Sequence, residues 1–372
     1  LWNALENRPD WILIRDPRHL MYFAGYYQSP FEFRSSNAGA VLILILGDGG
    51  SSTLVADNLV EGFARDTHVN EVVTPVWYRG KESARHREAM LIRSVLDHMR
   101  NCPGRHIGYE ASQLPAGIIE GLRKTRGSIE LTDVDPTIHQ LKRRKDPDEI
   151  ELLRISIHAG EVGQAAALRN VRPGMTELDV FWLIEEAVQR AAGRQARLYG
   201  DFVSGPRCEN VGGPPSDRVI EKGDLVLVDF SVIVSGYRGD FANTLVCGAK
   251  PSDQQRRLHE ACIEAITAGE QSARDGRPCR EVAAAVRHSF QRQHLAENFT
   301  SHSGHGLGLG HPDPPYLVPD STDTLKSGDI IALEPGQYIK GIAGMRYERN
   351  YLVTDKGLEC LSRHALQIDA TV

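Results

Sequence analysis

Apolar residues in the first part of the chain come in short runs separated by polar and glycine-containing stretches. Segments 11–14, 40–46, 52–56, 71–73, 106–109 and 129–131 are rich in Ile, Val and Leu and predict strands, with Gly47-Asp48-Gly49-Gly50 as a hairpin turn. Residues 82–100 carry apolar positions at helical spacing and predict a helix, so an α/β domain is expected over 1–142. The pattern then changes. Asp146-Pro147-Asp148-Glu149 reads as an N-cap, a proline at the first helical position and a capping-box acid. Pro173-Gly174 ends that segment, and Thr176-Glu177-Leu178-Asp179 opens a helix whose Leu178, Phe181, Trp182 and Ile184 are assigned to the core. Two more helices are expected over 258–272 and 280–294, with His259, His288 and His294 on polar faces. Helices against one curved antiparallel sheet make 143–372 an α+β domain.

Two segments of that second domain read as β-hairpins with carboxylates in them. The first runs from Leu225 through Asp229 to Val234, turns at Ser235-Gly236 and returns through Asp240. Asp229 and Asp240 are equidistant from the Val234–Ser235 junction, which predicts that they stand nearly opposite each other, where opposite Cβ atoms are roughly 4.5–5.5 Å apart. Carboxylates that close repel, and a shared proton or bound cations relieve the repulsion. In the second, Ile330-Ile331-Ala332-Leu333-Glu334 reaches Pro335-Gly336 and returns through Met345-Arg346-Tyr347-Glu348, so that Glu334 and Glu348 are equidistant from Gly341. Between the hairpins lies His305, in Ser303-Gly304-His305-Gly306-Leu307-Gly308. One imidazole with four carboxylates favours manganese, with cobalt, iron and zinc as alternatives. A single Asp or Glu at a strand end is usually a solvated side chain. Asp229 is different, because it follows four apolar residues and precedes Phe230, and burying it without partners costs several kcal/mol.

The pattern Val228-Asp229-Phe230, Gly236-Tyr237-Arg238-Gly239-Asp240, Gly304-His305-Gly306-Leu307-Gly308, Leu333-Glu334-Pro335-Gly336 and Arg346-Tyr347-Glu348 resembles the pita-bread metallopeptidases, within them the aminopeptidase P and prolidase branch. Residues 16–25 and 144–150 resemble the same branch, so the likeness covers nearly the whole chain. It implies a C-terminal pita-bread (creatinase/aminopeptidase) domain preceded by a smaller creatinase-like α/β domain that helps build a homodimer. It also implies two divalent ions, bridged by Asp240 and Glu348, with Asp229 on one and His305 and Glu334 on the other. The implied activity is that of a Xaa-Pro aminopeptidase or dipeptidase acting on small peptides through a metal-bridging hydroxide. Glu334 would shuttle the proton, and Arg346 would support a ligating carboxylate or the substrate.

Two positions depart from the branch. A loop histidine expected before the first metal aspartate is replaced by Gly212, in Ser204-Gly205-Pro206-Arg207-Cys208-Glu209-Asn210-Val211-Gly212-Gly213. A second histidine, expected seven residues after His305, is replaced by Pro312, which leaves His311 and His302 as candidates to face the site.

The composition changes the picture little. A chain of 372 residues suits two domains, and a net charge of -6 gives no nucleic-acid footprint. The run Lys142-Arg143-Arg144-Lys145 is read as a solvated interdomain segment. Six cysteines without CxxC pairing read as reduced thiols, Cys208 among them as an incidental loop thiol, and no apolar run reaches membrane-spanning length. A cytoplasmic location is expected, with a trimmed leader left open. Three readings compete: a dinuclear metallopeptidase of proline-containing peptides, a non-peptidase enzyme on the same scaffold, and a metal-free binding module.

Overall fold

The computed structural model describes residues 1–27, 39–46, 50–77, 79–80 and 86–369. Positions 47–49 of the expected turn and 82–85 of the expected helix lie outside them. The chain divides into two compact units, Leu1–Lys142 and Arg143–Val372.

In the first unit, Trp11–Ile14 (β1) is apolar at every position because it is covered on both faces. The other strands are Val41–Ile45 (β2), Ser51–Val55 (β3), Glu71–Val73 (β4), His106–Tyr109 (β5) and Glu130–Asp133 (β6). They form one mixed sheet of order β4-β3-β2-β1-β5-β6, antiparallel at β1–β2 and parallel at β1–β5. Trp11 and Leu13 pack on Leu91, Val95 and Met99 of Arg87–Met99 and on Ile118 and Leu122 of Ala116–Arg126. Ile12 and Ile14 meet Leu20 of Pro17–Ala24 and Ile138 of Asp135–Leu141 on the other face.

The second unit opens with the helix Pro147–Asn170 (α1), whose Asp146–Glu149 capping box forms as expected. It packs on Glu177–Ala192 (α2) and on the strands Leu225–Val234 (β8) and Tyr237–Val246 (β9). Gly160 of α1 makes this close: a Cβ there would overlap the Phe241 ring. The buried positions of α2 are Glu177, Val180, Ile184, Val188 and Ala192. Ile184 is therefore in the core, whereas Leu178 and Trp182 are exposed, Trp182 at 62%. The stripe at three- and four-residue spacing runs through 177, 180 and 184 and leaves 182 on the far side. The helices Asp253–Ser272 (α3) and Cys279–Arg292 (α4) cover a second core, where Leu258, Cys262, Ile266, Val286 and Phe290 meet Met345 and Tyr347. His259 is half-buried there, edge-on to Tyr347 at 4.8 Å, rather than on a polar face.

The single curved sheet expected from sequence is broken into three. Arg197–Ser204 (β7) joins β8 and β9 in the order β7-β8-β9. Gly304–Gly306 (β10), Ile330–Leu333 (β11), Arg349–Thr354 (β14) and Gly357–Cys360 (β15) form a second sheet, and Gly336–Ile339 (β12) pairs with Ala343–Arg346 (β13) in a third. The basic run is not solvated as a whole: Arg143 and Lys145 are buried, and Arg143 pairs with Asp329 at 2.8 Å and Asp323 at 2.9 Å. Among the described residues no helix is long and apolar enough to cross a membrane.

Candidate metal centre

The β8–β9 turn decides where the first two carboxylates stand. Ser235 and Gly236 both have positive φ, 51° and 87°, the signature of a two-residue turn matched to strand twist. Val234 therefore pairs with Tyr237, Ser231 with Asp240 and Asp229 with Ala242. The near-opposite placement expected for Asp229 and Asp240 is a diagonal one, because the turn is centred on Ser235 and Gly236 rather than on the Val234–Ser235 bond. The side-chain period of two keeps both carboxylates on one face.

Glu334 and Glu348 do occupy matching positions. β11 pairs with β14 in the register Leu333↔Arg349, and β12 pairs with β13 as Gly336↔Arg346. Both ladders share the centre at Gly341, so the two glutamates sit in the gap between them. There the backbones turn to other partners: Glu334 N–H donates to Ser303 O at 3.0 Å, and Glu348 N–H to Ala242 O at 3.0 Å. Pro335, without an N–H, permits the break. Asn350, on β14, ties the hairpins together by accepting from Asp240 N–H at 3.0 Å and donating to Asp240 O at 2.5 Å.

All five residues named from sequence converge. Ligand atoms of Asp229, Asp240 and Glu348 lie within 4.8 Å of one another, as do those of His305, Glu334 and Glu348, and those of Asp240, His305 and His311. His305 donates from Nδ1 to Gly306 O at 2.8 Å, which orients Nε2 toward Glu334 at 3.0 Å and Asp240 at 4.0 Å. Together with Asp201, Tyr199, Ser231, His302, His311 and Arg346, the five line a cavity of about 440 Å³.

The electrostatics are those of crowded buried acids. Burial pushes the Asp229 carboxyl up to about 8; Arg346 opposes this, and Asp240, Glu334 and Asp201 add to it. Burial, then Asp240, Glu334 and Asp229, hold Glu348 well above the ordinary carboxylate range. Burial also disfavours the Asp240 anion, but His311, His305 and Arg238 outweigh it and bring that carboxyl down to about 2. Burial likewise opposes charge on His305, yet Glu334 and Asp240 raise it to about 9. Glu334 is lowered, His305 overcoming its burial.

Glu348 Oε1 is buried and has no hydrogen-bond partner among the described residues. An unpartnered carboxylate oxygen among three other acids is costly unless a cation meets it. Four carboxylates and one oriented imidazole are a donor set that fits divalent ions, and Asp240, His305 and Glu348 each belong to two of the converging groups.

The remaining candidates resolve individually. His311 points into the cavity, with Nε2 3.1 Å from Asp240 Oδ2 and its ring 4.7 Å from that of His305. His302 lies 3.4 Å from Glu334 Oε1, and burial lowers its pKa. Arg346 is buried: it contacts Asp229 and Val211 O, donates from Nε to Tyr338 Oη at 2.6 Å, and is 3.9 Å from Glu334. Cys208 is fully buried and its thiol is pushed up to about 12 by burial, which makes it a poor nucleophile.

The space opposite Gly212 is filled by Asp201. A Cβ at 212 would overlap the Asp201 carboxylate, and Asp201 Oδ1 accepts from Gly213 N–H at 2.9 Å. Sequence reasoning missed Asp201 because its strand, Arg-Leu-Tyr-Gly-Asp-Phe-Val-Ser, carries a glycine and an aspartate at its centre. The signal was the alternation of Leu198, Phe202 and the polar positions between them, which puts Asp201 opposite Asp229.

Comparison with known proteins decides the family. The description "Metallopeptidase family M24" matches residues 151–355. The chain belongs to metallopeptidase family M24. Its first unit matches the "Creatinase/Prolidase N-terminal domain" over residues 5–143. The M24 chain is 29% identical over 257 residues to a Xaa-Pro dipeptidase of Pyrococcus horikoshii, covering 69% of this chain and 73% of that one. It is 25% identical over 358 residues to a Xaa-Pro dipeptidase of Pyrococcus furiosus, covering 96% and 94%. The prolidase structure from Pyrococcus horikoshii superposes with a TM-score of 0.81 at 25% identity, over 97% of this chain and 95% of that one. This M24 protein is thus an enzyme of the metallopeptidase class with the pita-bread architecture, and its family implies divalent metal ions.

Proposed function

We propose that this chain is a prolidase-like hydrolase of small Xaa-Pro peptides that works with two divalent ions, manganese by preference. Asp229, Asp240, His305, Glu334 and Glu348 would hold them, Asp240 and Glu348 being shared. The observation that carries this reading is the convergence of those five side chains around the unpartnered Glu348 Oε1. The Xaa-Pro dipeptidase relatives support the substrate class.

Ions bound there polarise a carbonyl and make water a nucleophile near neutral pH. The protein's own groups do the rest. Glu334 stays a carboxylate beside His305 and is the group able to accept a proton at Oε and return it to the departing nitrogen. Arg346 holds Asp229 in place from a buried position anchored on Tyr338. His311, on Asp240 at the cavity wall, takes the substrate-facing role that Pro312 lacks.

The test is hydrolysis of Ala-Pro and longer Xaa-Pro-Xaa peptides by protein stripped of metal and reloaded with manganese. Cleavage that disappears on stripping, returns on reloading and falls by about a hundredfold or more in Glu334→Gln supports the reading. Retained metal with no cleavage of any of these peptides would point instead to a different reaction on this scaffold, which the Gly212 and Pro312 departures favour.

A further inference from the structure

Among the described residues, Asp201 is the one acidic residue lining the cavity that belongs to none of the converging ligand groups. It faces Asp229 directly across the β7–β8 ladder. Its Oδ1 is taken by Gly213 N–H, a bond that an amide oxygen can also accept. Its Oδ2 accepts no hydrogen bond among the described residues and stands 3.9 Å from Arg346 Nη1. That arginine is committed elsewhere, to Tyr338, Asp229 and Val211. The Asp201 side chain is 33% exposed, and Gly212 leaves it room. Asp201 therefore lines the cavity with Oδ2 unbonded among the described residues, the paired Arg346 standing beyond hydrogen-bond distance.

We propose that Asp201 is a specificity-determining residue that receives a protonated nitrogen of the substrate. This rests on the peptidase reading. Two groups of a small peptide carry such a nitrogen next to the scissile bond: the N-terminal ammonium and a basic first side chain. Either would complete a charge-assisted hydrogen bond to Oδ2 in a partly desolvated site.

The experiment compares the manganese-loaded wild type with Asp201→Asn, which keeps the acceptor for Gly213 and removes only the charge. Two ligand pairs are used, as substrates where they are cleaved and as competitive inhibitors where they are not. Lys-Pro against norleucyl-Pro reads the side chain, and Ala-Pro against lactoyl-Pro reads the terminal ammonium. The expected result is a cationic-over-neutral preference that falls about ten- to hundredfold in one pair, and the pair affected identifies the source of the nitrogen. Preferences unchanged in both pairs overturn the proposal, whether or not overall activity drops, because a residue that merely positions the 213 strand affects both members alike. If the wild type cleaves none of the four compounds, the peptidase reading fails separately. Calorimetric binding of the same pairs to the loaded protein then decides on Asp201 by the same ratios.

Discussion

Asp229 holds a proton in the ion-free protein at neutral pH, since burial raises it to about 8, and burial disfavours the Glu348 anion in the same direction. His305, raised to about 9, is protonated as well. A divalent ion needs all three deprotonated, so loading releases protons, and affinity rises with pH until about 9. The sign for folding follows the same shifts. Asp229, raised in the fold, contributes stability at low pH that is lost as pH rises through about 8, whereas Asp240, lowered to about 2, contributes stability above the ordinary carboxylate range that is lost as pH falls through about 2. Manganese titrations at pH 6, 7.5 and 9 should show affinity tightening by about tenfold per pH unit for each proton released. An affinity independent of pH would contradict the protonation pattern. At this scale the ligands were legible because their chemistry is unusual: acids inside apolar strands. Asp201 and Tyr338 were not, because their roles depend on what lies across a ladder rather than on neighbours in sequence.

Between elements, the centre depends on two hairpins staying in register with each other. Asn350 is fully buried and bonds both backbone groups of Asp240, while its own N–H donates to Ser362 Oγ at 2.8 Å. Asn350→Ala leaves two buried backbone groups without partners, a loss of about 2–4 kcal/mol at roughly 1–2 per group. Denaturant unfolding of the ion-free protein reads that loss, and a change below about 0.5 kcal/mol would show that the hairpins are held together by other contacts. Sequence gave the position of the first hairpin but missed its register by one turn residue, because a junction and a two-residue turn look alike until φ is known at Ser235. The second hairpin's centre at Gly341 was readable, and the break at Pro335 was not, since it depends on Ser303 and Ala242 arriving from elsewhere. Trp182 is exposed because the helical stripe through Val180, Ile184 and Val188 fixes the buried face and leaves position 182 outside it.

The whole molecule joins an α/β unit to a metallopeptidase unit, and the strand β1 of the first was legible to the residue because it is apolar at every position. The homodimer implied by the family resemblance gives a sedimentation mass of twice the 41.2 kDa chain, and a single-chain mass at micromolar concentration would count against it. The proposed chemistry rests on paired ions held by one acid-rich cavity. Metal content after equilibrium dialysis against manganese, measured side by side for the wild type and Glu348→Ala, tests this most directly. About two ions per wild-type chain, with loss of at least one in the variant, is the result predicted from the shared position of Glu348. A wild type that retains no ion, or a variant that still retains both, would contradict it.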